Sequence, residues 1–136
     1  MRRLIATALA LTLFALAFTA AAALPPLSEV RPINDQLFAA AVGDRIRKEC
    51  PTISARMVVV MQKARALERY AKAQGYTDAQ IDAYTSSEPD KRRLEARALA
   101  YLAERSARPG DAEAHCRVGR AEIAAKSPIG ELLRSR

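Results

Sequence analysis

Two cysteines set into a helical pattern constrain this chain more than any other feature. Cys50 ends an apolar stripe in which Phe38, Val42, Ile46 and Cys50 follow at four-residue steps, with Leu37 and Ala41 beside them. Cys116 lies on a second apolar line with Ala112, Gly119 and Ile123. Side chains at these spacings share one face of an α-helix and turn it toward a core. A bond between the two sulfurs would close a loop of 66 residues. On the chain-entropy account it stabilises by about 4 kcal/mol, comparable with the whole net stability of a small domain. It would also hold the first helix against the penultimate one.

Whether such a bond forms depends on the compartment, and the N terminus speaks to that. Arg2 and Arg3 precede an apolar stretch over 4–24, and Ala21-Ala22-Ala23 closes it just before Pro25 and Pro26. A positive start, an apolar middle and a small-residue exit mark a secretory signal. We read 1–23 as a signal peptide cleaved after Ala23; the alternative is an uncleaved anchor, since a stretch of 21 residues, apolar but for Thr7, Thr12 and Thr19, also spans a bilayer. Both readings put the remainder outside the cytoplasm, with a periplasmic location expected. Two core-facing cysteines in an oxidising compartment imply one disulfide, Cys50–Cys116.

His115 stands directly before Cys116 and invites a catalytic reading. Helical neighbours i and i+1 point about 100° apart, so the imidazole faces away from the sulfur. A redox site would show C-x-x-C and a haem site C-x-x-C-H, and the sequence has neither. One His and two Cys fall short of a structural zinc set. His115 is expected at the surface or partly buried, without chemistry. G-x-S-x-G, H-E-x-x-H, a glycine-rich phosphate loop and an EF-hand pattern are all missing. Asp78 and Asp82 share a helix face, but as solvated residues of an amphipathic helix. No enzyme activity, metal or cofactor is expected.

The expected fold is all-α: a small irregular bundle of four to six helices tied by one disulfide, with no convincing strand. Residues 24–33, with three prolines, read as an extended lead-in, and 34–136 as a single helical domain. Asn34 can cap a first helix running to about residue 49, stopped by Pro51. A second spans about 54–74, with Met57, Val60, Met61, Ala64, Leu67 and Ala71 as its core face and Gly75 as a left-handed cap. Met57 and Met61 read here as plain core rather than as the lining of a promiscuous groove. Thr77 and Gln80 form a capping box for a short helix burying Ile81 and Tyr84. Ser87 starts the next, with Leu94, Ala98, Tyr101 and Leu102 on its face. Asp111 caps a helix to about residue 126, and Ser127-Pro128 opens a last turn carrying Ile129, Leu132 and Leu133. Gly119 inside a helix is expected to admit a close neighbour.

Without Arg2 and Arg3 the chain has 20 basic and 15 acidic groups, a net charge of +5. Basicity alone would suggest nucleic acid, which export argues against. An acidic protein or an anionic membrane surface fits better. Six helical pairs with acid four residues before base absorb much of the charge: Asp44–Lys48, Glu68–Lys72, Glu88–Arg92, Glu104–Arg108, Glu113–Arg117 and Glu122–Lys126. Like-charge neighbours remain at Arg65/Arg69 and Arg93/Arg97, and these four are the candidate contacts for an anionic partner.

"NDQLFAAAVGDRIRKECPTISARM", residues 34–57, with "GDAEAHCRVGRAEIAAKSPIGELLRSR", residues 110–136, resembles a family of small exported alphaproteobacterial proteins catalogued as a domain of unknown function. Its motifs are structural, and no catalytic residue carries over. Members lie near genes for the respiratory NADH–quinone reductase, so the resemblance implies an accessory subunit on the outer face of a membrane complex. The expected function is a non-enzymatic periplasmic interaction protein with a protein or membrane-associated partner and no small-molecule substrate. A small periplasmic chaperone or stress protein is the alternative.

Overall fold

Local signals set most of the element boundaries. The computed structural model describes residues 22–136, and the expected signal peptide, 1–23, lies outside them apart from its last two residues. Five helices follow in order: α1 Arg31–Glu49, α2 Met57–Ala73, α3 Asp78–Ser86, α4 Glu88–Glu104 and α5 Ala112–Ala125. Single 3-10 turns stand at Leu27–Glu29 and Gly130–Leu132. The α3 capping box forms as the sequence implies, with Gln80 N donating to Thr77 Oγ1 at 3.2 Å and Thr77 N to Gln80 Oε1 at 2.8 Å. Ser87 and Asp111 accept from the backbone N–H groups of Asp90 and Ala114 and so start α4 and α5. Gly75, at φ +102°, closes α2, and Tyr76 N returns to Ala71 O at 3.2 Å. That αL residue and its backward bond satisfy carbonyls the helix would leave bare.

The N-terminal boundary differs from the expectation. α1 begins at Arg31, because Pro32 suits a first helical turn, where its missing N–H costs nothing. Asn34 is therefore not a cap. It is buried inside α1, and its Nδ2 donates back to Leu27 O at 2.8 Å and Val30 O at 2.9 Å. Its Oδ1 accepts from Tyr84 Oη at 2.6 Å. The lead-in is thus folded onto the protein, held by Asn34 and by Tyr76 Oη, which donates to Pro25 O at 2.6 Å, with Leu27 buried in the turn.

Strands are the second difference. β1, Ile53–Ala55, and β2, Leu133–Ser135, pair antiparallel with Ile53 opposite Ser135 and Ala55 opposite Leu133. Three residues a side leave no period to read, and the pairing joins segments 80 positions apart in register at Ser54 and Arg134. α2 consequently starts at Met57 rather than near residue 54.

The main core lies between α1, α4, α5 and the C-terminal turn. Val42, Ile46, Ala98 and Leu102 are fully enclosed there. The disulfide is present: Cys50 and Cys116 are bonded, both are buried, and their Cα atoms are 5.0 Å apart. A bonded sulfur has no hydrogen, so the Thr52 hydroxyl donates, at 3.3 Å to Cys50 Sγ. Gly119, one turn beyond Cys116, admits the close approach expected of it. A Cβ there would lie 2.8 Å from Ile46 Cγ2 and closer still to Ile53, both fully buried. Gly130 plays the same part against backbone: a Cβ would fall 2.7 Å from Ile123 N and within the Glu122 carbonyl.

His115 is the third difference, since it is fully buried rather than at the surface or partly buried. Its Nδ1 lies 2.7 Å from Asp111 O. A carbonyl only accepts, so Nδ1 carries the hydrogen and Nε2, which has no partner among the described residues, is the bare nitrogen. α5 buries Ala114, His115 and Val118 beside Cys116 and Gly119, a wider inward face than its apolar line predicts.

Two outcomes follow from this packing. Removing the disulfide, by reductant or by Cys50→Ala with Cys116→Ala, should cost about 4 kcal/mol in a denaturant titration; coincident curves for oxidised and reduced protein would show the bond to be idle. Gly130→Ala should destabilise by the upper part of the about 1–3 kcal/mol typical of overpacking, because backbone cannot rotate aside. An unchanged melting temperature would contradict that contact.

Candidate functional site

α2, "MVVVMQKARALERYAKA", is where sequence and structure part most. Its core face was expected to include Met57 and Met61, yet Met57 is 59 % exposed, Val58 72 % and Met61 48 %. Ala71 is the one buried residue of the helix. The reason is spatial. α1, α4 and α5 already close the main core around the disulfide, and β1 pins the start of α2 to the C-terminal strand. The helix is laid across the outside. Val59 and Val60 touch the main core, while Leu67 packs on a second, smaller cluster around Leu27, Ile33, Ala71 and Tyr76.

Polar ties complete the attachment. Arg56 N donates to Leu132 O at 2.8 Å, and Arg56 Nη1 reaches Glu131 O at 3.2 Å. Lys63 Nζ meets Glu131 Oε2 at 2.7 Å. Lys72 holds both Glu68, at 2.8 Å, and Asp78, at 2.7 Å. Hydrogen bonding from Lys63 keeps the Glu131 carboxyl below its ordinary value, and Asp78 followed by Glu68 raises the Lys72 ammonium above its own.

With the buried edge of α2 at Val60, Leu67 and Ala71, a rotation of 100° per residue puts Val58, Met61, Arg65 and Arg69 on the opposite, outward side. Among the described residues no carboxylate lies within salt-bridge distance of Arg65 or Arg69. The other two candidates are engaged internally. Arg93 pairs with Asp90 at 3.0 Å, and the Arg97 guanidinium lies 4.9 Å over the Phe38 ring. The four arginines therefore do not form one site, and the outward face of α2 keeps only Arg65 and Arg69. Between Arg56 and Gln74 five basic side chains stand against Glu68 alone in the sequence; Glu131 meets Lys63 and Asp78 meets Lys72, so the charge left without a carboxylate partner on the outward side is that of Arg65 and Arg69.

Beside this face, α1, α2 and α3 enclose a groove of about 480 Å³. Ile33, Leu37, Leu67 and Ile81 form its floor, with Met61, Arg65 and Asp82 at its rim. Asp78 and Asp82 are therefore divided in role, one paired with Lys72 and the other at the groove mouth. Of the six expected helical pairs, Asp44–Lys48 and Glu68–Lys72 form. Elsewhere other partners win: Glu122 accepts from Tyr101 and Ser127, Glu88 pairs with Lys91, Glu104 with Arg105 and Glu113 with Arg120. Burial, reinforced by the bond to Glu122, pushes the Tyr101 hydroxyl up to about 12.

Cys116 is bonded, so no thiol stands beside His115. Among the described residues no group of three or more His, Cys, Asp and Glu side chains is placed to hold a metal ion. No helix among them is long and apolar enough to cross a membrane.

A family described as "Family of unknown function (DUF5333)" matches residues 25–134 of the sequence. The chain belongs to this family. No curated protein and no solved structure matches it. The DUF5333 match begins at the first proline after the apolar segment and takes in both cysteines, α2 and the C-terminal strand.

The Glu131 carboxyl gives a pH dependence with a definite sign. Its folded value is depressed, so its contribution is present above the ordinary 4.5 and lost as pH falls through the lowered value. Below about pH 4, amide exchange in α2, corrected for intrinsic rates, should accelerate relative to α1 and α5. Glu131→Gln should show that loosening at neutral pH. If α2 and α5 keep the same relative protection throughout, the Lys63–Glu131 tie does not hold the helix.

Proposed function

We propose that this protein is a non-enzymatic interaction module of the periplasm, docked through the outward face of α2 to an anionic surface at the membrane. The observation that carries this reading is the pair Arg65 and Arg69, unpaired within the fold and continuous along the helix with exposed Val58 and Met61. Like charges four residues apart cost a few tenths of a kcal/mol, and no carboxylate among the described residues offsets that. Isolated surface charges are cheap, but an apolar stripe in line with them is not expected of a plain solvated face.

Export is supported by two independent features. The bonded cysteines belong to an oxidising compartment, and the family match starts just past the leader-like stretch. A scaffold role rather than catalysis is supported by the sealed sulfurs and by the enclosure of the one imidazole. Within this reading we place the chain as an accessory subunit on the outer face of a respiratory membrane complex, the role its family resemblance implies.

Fractionation of cells expressing tagged protein tests the docking. Parent protein should sediment with the membrane fraction and be released by salt. Arg65→Glu with Arg69→Glu should move most of it to the soluble fraction, whereas the charge-matched Arg92→Glu with Arg136→Glu should not. Equal retention of both variants would remove the α2 face from the function.

A further inference from the structure

We infer that the surface covered by the outward face of α2 is the anionic phospholipid bilayer itself; this deepens the docking reading above and rests on it. Among the described residues the exposed large hydrophobic side chains are Leu24, Met57, Val58, Met61 and Tyr70. All but Leu24 are on α2, and Leu24 lies at its end, with Cδ1 3.3 Å from where a Gly75 Cβ would stand. Exposed apolar surface and net positive charge thus coincide on one helix. An amphipathic helix with apolar tips and flanking Arg and Lys lies in the interface, tips among the acyl chains and cations against phosphates.

A second copy of the chain is disfavoured by the same charge. A two-fold contact between the outward faces of α2 would set Arg65 and Arg69 of one copy against the same pair of the other, and among the described residues no carboxylate lies within salt-bridge distance of either. A folded protein partner fits less well than a bilayer. Protein interfaces are anchored by large aromatic side chains seated in pockets, whereas the Val58–Arg69 stripe carries no aromatic residue and is tipped by Val58 and Met61. A fluid surface asks for no matching shape.

The test uses protein purified after export, with its disulfide intact, in sedimentation with two kinds of vesicle: phosphatidylcholine alone, and phosphatidylcholine with one third phosphatidylglycerol. Binding should require phosphatidylglycerol and weaken with salt. Each Arg at an anionic surface is worth about fivefold in partitioning, so Arg65→Glu with Arg69→Glu should weaken binding by about 25-fold or more. Val58→Gln with Met61→Gln should weaken it several-fold, and circular dichroism should show each variant folded. Equal binding to both vesicle types, or a dimer in solution that buries α2, would overturn the inference. So would a lack of vesicle binding by protein that still needs Arg65 and Arg69 to sediment with cell membranes; a protein partner would then be the occupant and the docking reading would stand. Failure in vesicles and cell membranes alike would remove both.

Discussion

The covalent bond between Cys50 and Cys116 fixes the C-terminal end of α1 against the early turns of α5, and the neighbouring contacts depend on that placement. Ile46 stands one turn before Cys50 and Gly119 one turn after Cys116, so the sulfurs meet only if Ile46 can enter the space a side chain would fill at 119. Ile53, just beyond the bridge, closes on the same glycine from β1. The strand that carries Ile53 is thereby delivered to the C-terminal strand, with Leu133 opposite Ala55. Gly130 lets the chain turn flush against the α5 backbone to reach that pairing. A disulfide acts mainly by restricting the unfolded chain, but here it also sits where two glycine-permitted contacts and a strand pair converge.

This arrangement leaves the protein with two cores of unequal size. The larger one is filled by α1, α4, α5, Ile53 of β1 and the C-terminal turn, with α2 adding only the partly buried Val59 and Val60 at its margin. The smaller one gathers Leu27, Ile33, Ala71 and Tyr76, and Asn34 joins its parts through the Leu27 carbonyl and the Tyr84 hydroxyl. Buried amides held by such bonds specify a geometry as well as stabilise it. Between the two cores α2 is attached by one edge and by the ties of Arg56, Lys63 and Lys72. Segments with few buried apolar contacts open first, which places α2 at the labile end of the fold.

Local features were legible in the sequence because their causes are local. Thr77 with Gln80, Ser87 with Asp90, Asp111 with Ala114, and Gly75 with Tyr76 are all resolved within five positions. The disulfide was legible too, since both stripes carrying it are periodic. Long-range consequences were not. Asn34 reads as a cap until Leu27 and Tyr84 are brought to it, and His115 reads as a surface or partly buried residue until α5 is pressed into the core. The Met stripe of α2 has core-like spacing, yet spacing cannot say that three other helices have already filled the interior. Within the candidate site, Arg65 and Arg69 stood out as like-charge neighbours. Asp90 lies three residues before Arg93, so that pairing could have been read from the sequence, whereas the Phe38 ring under Arg97 comes from another helix. A window count over 56–74 would have revealed the charge concentration that a whole-chain total conceals.

What α2 lacks in burial bears on what its outward side can meet. A helix kept only for stability would carry opposite charges along its exposed side, as α1 does where Asp44 meets both Arg47 and Lys48. There, burial raises the Asp44 carboxyl and the two hydrogen bonds outweigh it, leaving it below its ordinary value. α2 instead sets Arg65 and Arg69 one turn apart in line with exposed Val58 and Met61. Acidic residues on its outward side would have relieved the repulsion, and polar ones in place of Val58 and Met61 would have avoided hydrating apolar surface. Both departures from a self-sufficient surface point along the same stripe of the same helix. A cation without an internal counter-ion and an apolar tip without an internal neighbour are satisfied together by one kind of surface, anionic outside and apolar beneath.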